Sequence, residues 1–113
     1  MEIKEAQHDR YVSLAPVGDL DANSSVFLDE KLRSLLEAGQ YNIHVNAAEI
    51  PYISSAGLGV FISHLDELVL HSGKFVVSNL SDTVADVFKI LGLNQLDNLI
   101  LVPSEREVES HFE

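Results

Sequence analysis

The feature that most constrains this chain is a regular change of hydrophobic period along its length. Short runs that alternate apolar and polar residues take turns with longer runs in which apolar residues recur every three or four positions. Val12-Ser13-Leu14-Ala15-Pro16-Val17 alternates as a half-buried strand, and Ile3 to Gln7 reads as a shorter strand beside it. Pro16 places its part of that strand at an edge or near an end. From Ser24 or Ser25 to Ala38, Leu28, Leu32, Leu35 and Leu36 fall at helical spacing, and Gly39 supplies the stop. Tyr41 to Val45 is a strand, and Pro51 keeps Ile50 out of helical geometry in the connection that follows.

Leu58, Phe61, Ile62, Leu65, Leu68 and Val69 then form a wide helical stripe that ends at Ser72-Gly73. Lys74 to Ser78 is a strand. Val84, Val87, Phe88 and Leu91 mark a helix stopped at Gly92, and Leu99 to Val102 is the last strand. Ser104-Glu105-Arg106-Glu107 has a capping-box pattern, with Val108 and Phe112 four apart, so residues 104–113 are expected to form a short closing helix.

The order ββαβαβαβα predicts an α/β fold: one domain over residues 1–113, with a mixed, mainly parallel sheet, βα repeats and packed helices. At 113 residues there is room for one core and not for two. No cysteine is present, which removes disulfides, zinc–thiolate sites and thiol nucleophiles. Met1 to Glu5 lacks a basic region followed by an apolar run, and no apolar stretch approaches the roughly 20 residues of a membrane span. A cytoplasmic location with no membrane partner is the expectation. Eighteen Asp and Glu against seven Lys and Arg give a net charge of −11, with the basic residues scattered singly. Nucleic acid, bound through clustered Lys and Arg, is a poor partner for such a surface. A protein face of basic or mixed charge is a better one.

The informative stretch is Tyr52-Ile53-Ser54-Ser55-Ala56-Gly57-Leu58-Gly59. A helix starts here with two glycines in or near its first turn, each costing about 0.8–1 kcal/mol relative to alanine. The missing side chains imply close approach of another backbone, or a need to keep the neighbouring hydroxyls accessible. A serine at a helix start can serve simply as an N-cap. It can also carry a phosphate, because unpaired N–H groups and the positive end of the helix dipole favour an anion there. The two roles are compatible when one serine caps and its neighbour is exposed.

The run from Ile43 to Gly59 resembles the signature of STAS domains, specifically the free-standing anti-sigma-factor antagonists. Gly18-Asp19-Leu20-Asp21-Ala22, Gly73 to Leu80 and Ile90-Leu91-Gly92-Leu93 resemble further landmarks of that family. The resemblance covers nearly the whole chain. It implies a non-enzymatic partner switch. The unphosphorylated protein would bind an anti-sigma factor that is also a serine kinase, phosphorylation would release it, and a metal-dependent serine phosphatase would reset it. It places the phosphoacceptor on Ser55, with Ser54 as second choice, and puts Asp21, Asn46, Gly57, Leu58 and Gly59 near the switch. It also implies that the helix after Ser55 faces the partner, with Ser63, His64 and Glu67 on its exposed edge and Leu58 as a further contact. Ser54 departs from the Asp that most relatives carry there. An alternative with the same fold is a non-phosphorylated scaffold or adaptor in a signalling or transport complex.

Other chemistry is weaker. Ser55, His64 and Asp66 supply the residue types of a hydrolase triad, but no Gly-x-Ser-x-Gly elbow is present, and His64 lies nine residues along the same helix. His8, His44, His64, His71 and His111 do not form a compact ligand pattern and read as solvated surface residues, with no metal site and no cofactor expected.

Overall fold

The computed structural model describes all residues, Met1–Glu113. Strand β1 (Glu2–Gln7) turns into β2 (Val12–Val17). They are followed by α1 (Ser25–Glu37), β3 (Asn42–Asn46), α2 (Ser55–Leu70), β4 (Lys74–Ser78), α3 (Asp82–Ile90) and β5 (Leu99–Val102). The strands lie in sequence order, β1 antiparallel to β2 and every later pair parallel. All three helices pack on one face of the sheet, as right-handed crossovers between successive neighbouring strands require. The α/β architecture and mixed, mainly parallel sheet expected from the sequence are found.

Strand alternation sorts the side chains between two unequal layers. Leu14, Val45, Val77 and Leu99 point into a cluster of 23 buried residues shared with the helices. Ser13, His44, Val76, Ser78 and Val102 belong to the opposite face, whose own apolar cluster has only four buried members: Val76, Val102, Val108 and Phe112. Helices α2 and α3 begin at serine caps, Ser54 and Ser81, which accept the amides of Gly57 and Val84.

The structure departs from expectation in three places. Residues 104–113 form two 3-10 turns, Glu105–Glu107 and Glu109–Phe112, in place of a continuous helix. The Ser104 hydroxyl caps nothing, and the Glu107 amide donates to the carbonyl three residues back at 3.2 Å. So short a segment gains little from helix propagation and follows the packing of Val108 and Phe112 on the sheet. Ile62 and Val69, assigned above to the core stripe of α2, are 47% and 60% exposed. A stripe that wide exceeds the arc one sheet can cover. Two of the histidines expected at the surface are instead buried: His44 is 3% exposed and His64 8%.

His44 sits on the helix-free face between two serines. Its Nδ1 lies 2.8 Å from Ser13 Oγ and its Nε2 lies 2.7 Å from Ser78 Oγ. Burial, helped by the nearby charge of His8, lowers its pKa from 6.5 to about 4. The unfolded chain therefore takes up this proton before the folded one. The resulting stability is fully present above pH 6.5 and drains away as pH falls through about 4, on the order of 3 kcal/mol for this one group. Urea unfolding at neutral pH and near pH 4 should show that loss in the wild type and a visibly smaller one in His44→Gln.

Candidate functional site

The connection from β3 to α2 is held against the turn that precedes α1. Leu20 and Ile53 form a parallel bridge in which the Leu20 amide donates to Tyr52 O and the Ser54 amide donates to Leu20 O, both at 2.9 Å. Gly18 N–H reaches Glu49 O at 2.9 Å. Two surface turns, distant in sequence, are thus locked into one ledge at the start of α2.

Gly57 makes that ledge possible. A Cβ built on it would lie 2.6 Å from Leu20 O and 2.9 Å from the Ile53 side chain, closer than carbon atoms tolerate. Gly59 differs: a Cβ there would meet nothing within 4 Å. The first glycine is required by the fold. The second leaves open space at the surface.

The serine pair divides its roles. Ser54 has extended backbone and its Oγ accepts the Gly57 amide at 3.3 Å, the arrangement of an N-cap. Ser55 is the first helical residue, exposed, and its hydroxyl is not engaged in capping. No carboxylate occupies the first turn of α2, so the positive end of its dipole is uncompensated.

Asp21 lies in the turn held to this ledge by the Leu20 bridge. Its carboxylate accepts the amides of Ser24 and Asn23, each at 3.0 Å, and these bonds hold its pKa below the usual carboxylate value. It closes the turn just before α1, whose N-cap residue Ser24 makes no side-chain cap bond to that helix. Asn46 ends β3 and faces the other way. Its Oδ1 accepts the Ala48 amide at 3.0 Å and the Asn79 side-chain amide at 3.1 Å, while its Nδ2 donates to Glu105 at 2.5 Å. Asn46 thus anchors the far end of the connection and not the serines themselves.

Along α2, Ser55, Ala56, Ile62, Ser63, Asp66 and Glu67 are exposed and Gly59 is half-buried. This surface is uncharged near the serines and acidic further on, and α2 carries no Lys or Arg. Leu58 is fully buried and is unavailable for contact. His64 also leaves the exposed edge: its Nε2 lies 2.8 Å from the Asp29 carboxylate, which also pairs with Arg33, and this cross-link ties α2 to α1. Ile62, counted above in the apolar stripe, joins this exposed surface instead. The signal available was its position seven residues, two helical turns, after Ser55.

Comparison with known proteins agrees with the fold and the motif. The sequence profile of the STAS domain matches residues 2–108, and the chain belongs to that family. It is 29% identical over 96 residues to an anti-sigma-B factor antagonist of Staphylococcus epidermidis, covering 85% of this chain and 89% of the relative. Among solved structures, a Thermotoga maritima protein superposes with a TM-score of 0.90 at 18% identity, over 97% of this chain and 93% of that one. The Bacillus cell fate determinant SpoIIAA in its phosphorylated form superposes with a TM-score of 0.75 at 21% identity, over 99% and 100%. These structural likenesses establish the fold.

The two glycines should respond oppositely to alanine. Gly57→Ala should lose about 1–3 kcal/mol of stability through the clash with Leu20. Gly59→Ala should gain up to about 1 kcal/mol from helix propensity. Denaturant midpoints of the two variants check this directly.

Proposed function

We propose that this protein is an anti-sigma-factor antagonist whose binding to a kinase-type anti-sigma factor is switched off by phosphorylation of Ser55. The observation that carries the reading is the division of labour at the start of α2: Ser54 caps the helix, and Ser55 stands exposed beside the space left by Gly59. Similarity to the Staphylococcus epidermidis anti-sigma-B factor antagonist supports the choice of partner. Ser54 fills the capping role that the family's aspartate would also fill, since both are strong N-caps. That substitution therefore keeps the local geometry and leaves the hydroxyl of Ser55 as the acceptor.

The partner surface follows from α2. An uncharged patch of Ser55, Ala56, Gly59 and Ile62 admits close approach of another backbone, and Asp66 and Glu67 beyond it favour basic side chains. Ser55 and Gly59 are four residues apart and share a face. A phosphate on Ser55 would bring about −1.5 to −2 charges to the uncharged part of this contact and occupy the space that Gly59 leaves. Burying that dianion against an apolar surface is costly, so the complex separates although the helix start tolerates the anion. A metal-dependent serine phosphatase would restore the binding form. The chain's own role is to bind and to be modified, with no catalytic step of its own.

Intact-mass and site-mapped analysis after incubation with ATP and a candidate kinase partner should find one phosphate on Ser55, absent from Ser55→Ala. Ser55→Asp should fold normally and bind that partner at least about tenfold more weakly, or about 1.4 kcal/mol. Ser55→Ala should bind and resist release. No phosphate from a partner shown active on another antagonist, with both variants binding like wild type, would leave a STAS scaffold as the better account.

A further inference from the structure

The helix-free face carries an unbroken run of hydrogen-bonded side chains that the switch does not use. Exposed His8 places Nε2 3.0 Å from Ser13 Oγ, and Ser13 Oγ lies 2.8 Å from His44 Nδ1. His44 Nε2 lies 2.7 Å from Ser78 Oγ, which accepts the Asn79 side-chain amide at 3.3 Å. That amide also reaches Asn46 Oδ1 at 3.1 Å, and Asn46 begins the connection leading to α2.

Hydrogen counting gives this run a direction. Ser78 is fully buried, and Asn79 already donates to its oxygen. The Ser78 hydrogen is then best used toward His44 Nε2, which must accept. A neutral His44 has one N–H, so it stands on Nδ1 and points at Ser13. The Ser13 hydroxyl, receiving that bond, donates its own hydrogen to His8 Nε2. Every donor has an acceptor, provided His8 Nε2 is bare.

We infer that the protonation state of His8 sets the tautomer of buried His44 and, through it, the hydrogen bonding of Ser78, Asn79 and Asn46. A proton taken up at His8 Nε2 turns that atom into a donor to Ser13. The Ser13 hydroxyl reverses toward His44 Nδ1, His44 carries its hydrogen on Nε2 instead, and Ser78 then receives two donors. Its own hydrogen is left without an acceptor in a fully buried position, which loosens the Asn79 anchor. His44 remains neutral throughout, and only its hydrogen changes nitrogen.

His8 sits on an aromatic stack and is ringed by charged groups. Its ring stacks on Tyr11 at 4.4 Å, and Tyr11 in turn stacks on Phe112 at 4.6 Å. Asp9 and Arg10 flank it on the turn, and Glu109 and Glu113 of the C-terminal segment line the same groove. Across the sheet face, Lys4 and Glu5 of β1 and Glu105 complete the charged groups near it. Carboxylates outnumber cations in that set, and His44 presents no charge of its own. This run lies on the helix-free sheet face and does not involve Ser55.

Two-dimensional ¹⁵N–¹H imidazole spectra of the whole protein, recorded as His8 titrates, test it. The expected result is that His44 passes from the Nδ1–H to the Nε2–H tautomer in step with protonation of His8. In Ser13→Ala, His8 should still titrate while the His44 tautomer no longer follows it. In His8→Gln, which keeps a polar side chain without the titration, no tautomer change should remain over the same range. A His44 tautomer that is the same on both sides of the His8 titration overturns the inference, as does one that follows His8 in Ser13→Ala.

Discussion

The arrangement of the functional end depends on one close contact, the approach of the first turn of α2 to the backbone of Leu20. The Leu20–Ile53 bridge brings two loops together, and only a residue without a side chain fits at Gly57 under that carbonyl. The bridge fixes the direction in which α2 leaves its loop. That direction decides which residues of the helix enter the core and which remain outside. Leu58, Phe61, Leu65 and Leu68 go inward, while Ser55, Ile62 and Ser63 remain on the surface. A contact made for packing thus determines what the helix offers to another molecule.

The two faces of the sheet are built on different principles. The helical side is apolar and large, and its stability is mostly the hydrophobic effect. The other side has a small apolar cluster beside a polar run, in which a buried histidine is matched on both ring nitrogens and no buried side-chain polar atom lacks a partner. Such a polar run specifies geometry more than it adds stability, because each bond largely replaces one that water would have made.

Much of this was legible in the sequence, and the misses have physical causes. Strand and helix alternation is a local property, so Leu28, Leu32, Leu35 and Leu36 announced α1, and Gly39 its end. The separation of Ser54 from Ser55 was available as a possibility, since a helix start needs a cap. Histidine burial was not legible. His44 finds its partners 31 and 34 residues away and His64 its partner 35 residues away, distances at which no local pattern reports. One local hint exists: Asn42, His44 and Asn46 alternate with Ile43 and Val45, marking a polar sheet face that water alone need not satisfy. For α2, periodicity locates the stripe but not its borders, so Ile62 and Val69 fit its pattern and yet lie outside the core.

The sheet has its strands in the order in which the chain is made. Each new strand therefore finds its neighbour already present, and no strand must be inserted between two older ones. Growth can proceed from one edge during synthesis, with every helix closing over the pair just formed. The ledge beneath Ser55 needs only residues up to Gly57. Its parts have all emerged while the second half of the domain is still being translated.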